Sequence, residues 1–173
     1  EVEALMDLLV NTLLTEVEGL HENGVRLHTI GDTDSLPESC RKALLKAIEQ
    51  TAKNDRITLT LALSYSARWD ILRMLRNVAN DLRDGRIGMH DLGEKFVSDR
   101  LSTHGIPDPE LLIRTSGEQR VSNFLLWEIA YSELWFTSVL WPDFRKEHLY
   151  QAVIDYQNRE RRFGLTRDQL QAP

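Results

Sequence analysis

Residues Ile57-Thr58-Leu59-Thr60-Leu61-Ala62-Leu63-Ser64-Tyr65 alternate large apolar with small or polar side chains without a break. Successive side chains of a strand point to opposite faces, so this period of two sets Ile57, Leu59, Leu61 and Leu63 against Thr58, Thr60, Ala62 and Ser64. No helix can gather that pattern into one stripe. The flanking segments change period. Pro37 stands near the start of a predicted helix that runs to about Lys53, and a second predicted helix runs from Arg68 to Leu82 and stops at Asp84-Gly85. A strand framed by helices constrains the chain to an α/β architecture.

The rest of the chain extends the alternation. Val2, Leu5, Met6, Leu9, Leu13, Val17 and Leu20 recur at three- and four-residue spacing, which predicts an amphipathic helix over 2–22 with Asn23-Gly24 as its C-cap. Val25–Ile30 reads as a strand, Asp91–Leu101 as a helix and Leu111–Thr115 as a strand. Val121–Tyr131 reads as a helix, Leu134–Thr137 as a strand and Glu147–Phe163 as a last helix. Strands separated by helices imply a mostly parallel central sheet flanked by helices on both faces, in a single domain spanning residues 1–173. The chain opens inside an amphipathic helix with no strand before it, and four strands are few for such a sheet. The reading is therefore of a domain whose N-terminal strands are missing.

Composition narrows the function classes. A 42% hydrophobic content over 173 residues supports one real core and excludes a disordered chain. The net charge of −6 weighs against a nucleic-acid partner, which would call for a basic footprint. Cys40 is the only cysteine, so there is no disulfide framework or thiolate metal cluster, and its place inside the second predicted helix marks it as a buried, idle thiol. No stretch approaches the roughly 20 apolar residues of a membrane span, and the opening Glu1-Val2-Glu3 does not read as a signal peptide, having neither a basic lead nor a cleavage site. These features fit a reducing, cytoplasmic compartment. The five histidines show no metal-ligand spacing, and Walker A, nucleophile-elbow and dinucleotide fingerprints are all absent.

In parallel sheets, ligands gather beyond the C-terminal ends of strands. The densest such segment is Arg114-Thr115-Ser116-Gly117-Glu118-Gln119-Arg120-Val121-Ser122-Asn123-Phe124. Arginine forks match phosphate oxygens, and Ser122 would be the N-cap of a helix whose free N–H groups favour anions. The same residues also suit a plain reading, in which Ser122 only caps and the arginines are solvated or paired with Glu118. The pattern alone leaves both open. Arg159-Glu160-Arg161-Arg162 reads as a solvated helix end, and Trp127, Tyr131, Trp135, Phe136 and Trp141 crowd one region as core or oligomer interface.

Taken in order, R-T-S-G-E-Q-R-V-S-N-F-L-L-W-E-I-A-Y-S-E-L-W-F, then V-L-W-P-D-F, then N-R-E-R-R-F-G resembles the C-terminal signature of the cis-prenyltransferases, nearest to the bacterial undecaprenyl diphosphate synthases. G-D-T at Gly31–Thr33 and S-Y-S-A-R-W-D at Ser64–Asp70 extend the resemblance over essentially the whole chain. It implies repeated condensation of isopentenyl diphosphate with an allylic diphosphate such as farnesyl diphosphate, assisted by Mg2+. The product would be a long-chain polyprenyl diphosphate for a cell-wall lipid carrier. By the family pattern Arg114, Arg120 and Ser122 hold isopentenyl diphosphate, and Glu133 helps place Mg2+ near a homodimer interface formed by the Phe124–Phe136 region. Leu5, Leu8, Leu9, Val25 and Ile57 become candidate walls of the product tunnel, although core packing explains each equally well. Contact with the inner face of the membrane is implied by a membrane-soluble product.

Two departures qualify the resemblance. Gln119 stands where the family often has histidine, so no metal role is carried onto it. The family's catalytic aspartate belongs to an N-terminal M-D-G-N-G-R-W segment that these residues do not contain, which implies that they turn nothing over by themselves. Two rivals remain at this level: a non-catalytic prenyltransferase-like partner subunit, against which the combination of Arg114, Arg120, Ser122 and Glu133 weighs, and an unrelated diphosphate-binding module.

Overall fold

The computed structural model describes residues 2–160, which fall into two compact units that divide between His104 and Gly105. The first contains α1 (Val2–Glu22), β1 (Val25–Ile30), α2 (Glu38–Thr51), β2 (Ile57–Ala62), α3 (Ala67–Arg83) and the short α4 (Glu94–Ser98). The second contains β3 (Leu111–Arg114), β4 (Glu133–Phe136) and α5 (Lys146–Gln157). Each unit holds one parallel strand pair, β1 with β2 and β3 with β4. The α/β class with parallel strands is thus observed.

In the first unit, β1 and β2 run in register from Val25 opposite Ile57 to Ile30 opposite Ala62. Leu13 of α1, Leu27 of β1 and Leu36, Cys40, Leu44 and Ala47 in and before α2 form one buried cluster, joined by Leu61 and Leu63. Leu27 and Leu44 are each 1% exposed, and burying a leucine contributes about 1.5–3 kcal/mol. Thr51, at the end of α2, is buried with both hydroxyl functions used: Oγ1 accepts from the Leu27 N–H at 3.0 Å and donates to the Ala47 carbonyl at 2.9 Å. A second cluster joins Met74 and Val78 of α3 to Leu101, with Phe96 and Val97 of α4 packed against it.

The alternation of β2 is present, but only half of its apolar face is covered. Leu61 and Leu63 join the core, whereas Ile57 is 58% and Leu59 41% exposed. The predicted Asp91–Leu101 helix shrinks to Glu94–Ser98 after a 3-10 turn at Met89–Asp91, because Gly93 interrupts the segment with extended backbone at φ −157°.

The larger correction lies between β3 and β4. The predicted helix over Val121–Tyr131 does not form; residues 122–127 are turns and bends, followed by a 3-10 turn at Glu128–Tyr131. Ser122, Asn123 and Leu125 all adopt positive φ, at 49°, 61° and 49°. A right-handed helix cannot pass through that region. The last helix ends at Gln157, and Arg161, Arg162 and Phe163 lie outside the described residues. No described helix is long and apolar enough to cross a membrane.

Candidate functional site

β3 delivers Arg114 at its C-terminal end, the end at which parallel strands present ligands. Beyond it Ser116 and Gly117 turn left-handed, at φ 66° and 71°. Their N–H groups donate to the Val139 and Thr137 carbonyls at 2.8 and 2.9 Å, folding the segment onto the continuation of β4. These two amides are therefore committed to backbone, and side chains must supply much of any anion grip.

Arg114 is the side chain placed to do so. Its Nε is buried and has no hydrogen-bond partner among the described residues, although a buried N–H without an acceptor costs about 1–3 kcal/mol. A cavity of about 240 Å³ opens beside it, lined by Leu112, Ile113, Arg114, Val121 and Phe124. One guanidinium at an otherwise apolar hollow suits a small molecule with an anionic head and a hydrocarbon tail.

Arg120 is 70% exposed and its Nη1 lies 2.5 Å from the Glu118 carboxylate. An exposed pair of this kind contributes about 0–1 kcal/mol, so a ligand can displace it at little cost. Ser122 is exposed and left-handed, and it caps no helix; its expected role as an N-cap is withdrawn, while its hydroxyl remains on the same loop.

Glu133 opens β4. Its Oε2 accepts from Arg159 Nη1 at 2.9 Å, and the same nitrogen donates to the Leu134 carbonyl at 2.9 Å. Arg159 also pairs with Asp155, and the two carboxylates, Glu133 first, raise its already high pKa. The solvated helix end expected for Arg159 is thus a clasp between α5 and β4. No group of three or more His, Cys, Asp or Glu gathers as a metal cage among the described residues. Magnesium is commonly held by one or two carboxylates plus substrate phosphates, and Glu133 with its second oxygen fits that sparse arrangement. Register sets it apart from Arg114: Leu111 is opposite Glu133 and Arg114 opposite Phe136.

The expected tunnel residues separate. Val25 and Ile57 are register partners, and Leu9 packs on the core cluster, whereas Leu5 and Leu8 are 56% and 61% exposed. A cavity of about 220 Å³ between α1 and α2 is lined instead by Leu13, Leu14, Val17, Glu18, Ala43, Lys46, Ala47 and Gln50.

The two N-terminal motifs do meet. The Asp32 N–H donates to the Ser64 carbonyl at 3.4 Å, and a cavity of about 330 Å³ is lined by Gly31–Asp34, Trp69, Arg73 and Arg100–Ser102. Asp70 is buried and bonds two of the lining residues, accepting from Arg73 at 2.7 Å and from the Ser102 N–H at 2.9 Å. The Arg73 guanidinium also lies 5.6 Å from the Trp69 ring centre. The Asp70–Arg73 spacing is visible in the sequence as neighbours on one helix face. Ser102 carries no comparable signal, and for Arg159 only the Asp155 pair is local, since Glu133 and Leu134 are distant in the chain.

Residues 1–164 match a prenyltransferase family model described as "Putative undecaprenyl diphosphate synthase". An isoprenyl transferase of Clostridium perfringens is 51% identical over 164 residues, covering 95% of this chain and 65% of that protein. The chain thus spans slightly less than two thirds of that relative's length. The crystal structure of lavandulyl diphosphate synthase from Lavandula x intermedia, in complex with dimethylallyl diphosphate, superposes with a TM-score of 0.92 at 34% identity, covering 95% of this chain and 71% of that one. A probable undecaprenyl diphosphate synthase from Campylobacter jejuni gives a TM-score of 0.82 at 31% identity, covering 95% and 74%. With a family model matched over residues 1–164 and relatives alike over nearly the whole chain, the protein belongs to the undecaprenyl diphosphate synthase family of prenyltransferases.

Proposed function

We propose that the protein condenses isopentenyl diphosphate repeatedly with an allylic diphosphate, farnesyl diphosphate being the favoured primer, to build a long-chain polyprenyl diphosphate for a cell-wall lipid carrier. The observation that carries this reading is the buried Arg114 Nε, without a partner among the described residues, in a residue that lines an apolar cavity. Arg114, Arg120 and Ser122 bind the diphosphate of isopentenyl diphosphate, and the apolar wall of Val121 and Phe124 receives its five-carbon tail. Glu133 is the residue that would hold Mg2+, and the ion would supply positive charge against that building on the departing diphosphate oxygens. Arg114 and Arg120 hold the diphosphate that stays in the product, so their part is to fix the isopentenyl double bond in position for attack on the allylic carbon.

The two units serve as one catalytic domain in this reading, and two chains associate through the Phe124–Phe136 region. Support comes from the apolar surface there: Phe124 is 39%, Leu126 40%, Tyr131 66% and Phe136 37% exposed. Aromatic side chains at that density favour an interface. A cytoplasmic enzyme touching the inner face of the membrane follows from a membrane-soluble product.

The test is calorimetric binding of isopentenyl diphosphate to the full-length protein carrying Arg114→Ala or Arg120→Ala, with oligomeric state followed by sedimentation. Arg114→Ala is expected to weaken binding about a hundredfold, equivalent to roughly 2.7 kcal/mol, and Arg120→Ala about tenfold. Dimerisation should persist in both. Unchanged binding and turnover reject the site assignment, and a wild-type protein that dimerises without turnover supports a partner-subunit role.

A further inference from the structure

Arg159 stands two residues beyond the end of α5, where a side chain would ordinarily be solvated. Instead its guanidinium is 31% exposed and every nitrogen is engaged. Nη1 donates to Glu133 Oε2 and to the Leu134 carbonyl, both at 2.9 Å, while Nε donates to Asp155 Oδ2 at 3.1 Å and Nη2 reaches the same oxygen. A planar fork fixed by a helix carboxylate on one side and a β4 carbonyl on the other has little rotational freedom left. It therefore fixes the direction from which Glu133 is held. Only one oxygen of Glu133 is taken, and among the described residues nothing donates to Oε1.

Carboxylates that ligate metals are commonly steered by a hydrogen bond to the oxygen turned away from the ion, and losing the steering group weakens metal binding about 10–100-fold. Resting on the reading of Glu133 as the magnesium-placing carboxylate, we infer that Arg159 is a positioning residue, which turns Glu133 Oε2 inward and leaves Oε1 for the cation. Asp155 is the far anchor of the same clasp. The competing role is a plain tie between α5 and β4, which would govern stability and leave the metal alone.

The experiment follows the magnesium dependence of isopentenyl diphosphate binding to the full-length protein by calorimetry, with Glu133→Gln, Arg159→Met, Arg159→Lys and the double variant E133Q/R159M. Arg159→Met is expected to raise the Mg2+ concentration for half-maximal binding about tenfold. Arg159→Lys should recover part of that loss, and the double variant should bind no worse than Glu133→Gln alone. A lowered melting temperature with an unchanged Mg2+ requirement in Arg159→Met overturns the inference, as does an additive double variant. An unchanged requirement in Glu133→Gln removes the underlying reading of Glu133 itself, a result separable from the first. Should Arg159→Met fail to fold, Asp155→Asn removes only the far anchor. A shift in the same direction there supports the positioning role, and no shift overturns it.

Discussion

Arg114 and Glu133 occupy opposite ends of one parallel ribbon: Arg114 closes β3 opposite Phe136, and Glu133 opens β4 opposite Leu111. Three residues of extended chain separate the two levels, roughly 10 Å at the usual strand rise. The arginine thus sits where a parallel pair presents ligands, and the glutamate sits where the ribbon is tied to α5 through Arg159. Two residues that the family pattern assigns to one reaction are held by different parts of the fold, each with its own support. Arg114 depends on the apolar hollow beside it, and Glu133 on a guanidinium clasp.

Ser122 separates a backbone role from a hydroxyl role. At φ 49° a serine carries a left-handed penalty that glycine does not. Ser122→Gly is expected to gain about 0.5–1 kcal/mol in urea denaturation while weakening isopentenyl diphosphate binding about fivefold through the lost hydroxyl. Ser122→Val should lose about 1–2 kcal/mol, since a β-branched side chain tolerates that region worst. A neutral valine variant would show that the turn is not left-handed.

Gly31 marks the closest approach between β1 and the end of β2. A Cβ there would lie 2.1 Å from the Leu63 carbonyl oxygen, on a backbone at φ 106°. A main-chain oxygen cannot step aside as a flexible side chain can. Gly31→Ala is expected to cost about 3 kcal/mol or more, whereas Gly85→Ala, also left-handed at φ 68° but facing open space, should cost about 1 kcal/mol. Equal costs would deny the close approach.

Asp70 is a buried carboxylate whose partners are Arg73 and the backbone and hydroxyl of Ser102. Removing the carboxylate strands a guanidinium and an amide. Asp70→Ala is expected to destabilise the fold by about 3–5 kcal/mol, and Ser102→Ala by about 1–2 kcal/mol. Chemical denaturation of the two variants measures both, and an Asp70→Ala variant as stable as the wild type would contradict the buried network.

Cys40 is fully buried in the first core, and that burial pushes its thiol pKa up. A raised folded-state pKa means that the folded chain holds the proton more tightly than the unfolded chain does. Its contribution is therefore complete below the thiol's ordinary range and declines as pH rises through that range toward the higher folded value. Stability should fall with pH more steeply in the wild type than in Cys40→Ala. Alkylation by iodoacetamide should proceed only as fast as the first unit opens, and rapid modification under native conditions would refute the burial.

Most regular elements were visible because their signals are local. The alternation of 57–63 located β2, the stripe from Val2 to Leu20 located α1, and Asn23-Gly24 ended it, with Gly24 indeed left-handed at φ 71°. Val121–Tyr131 misled because Val121, Phe124, Leu125 and Ile129 imitate a helical stripe, while nothing in Ser122 or Leu125 advertises positive φ. The loop's two ends are set by the parallel pairing of β3 with β4, which is tertiary information.

The sequence by itself determined the α/β class, the order of most elements and, through ordered motifs, the family and the identity of Arg114, Arg120, Ser122 and Glu133 as candidates. Tertiary structure alone decided what each of them faces. Arg114 meets an apolar hollow, Arg120 meets Glu118, and Glu133 meets a guanidinium 26 positions later in the chain. Hydrophobic period and turn chemistry are written over a few neighbouring residues, so they can be read in order. Burial, register and ion pairing depend on which distant segments the fold brings together, and no local pattern encodes those.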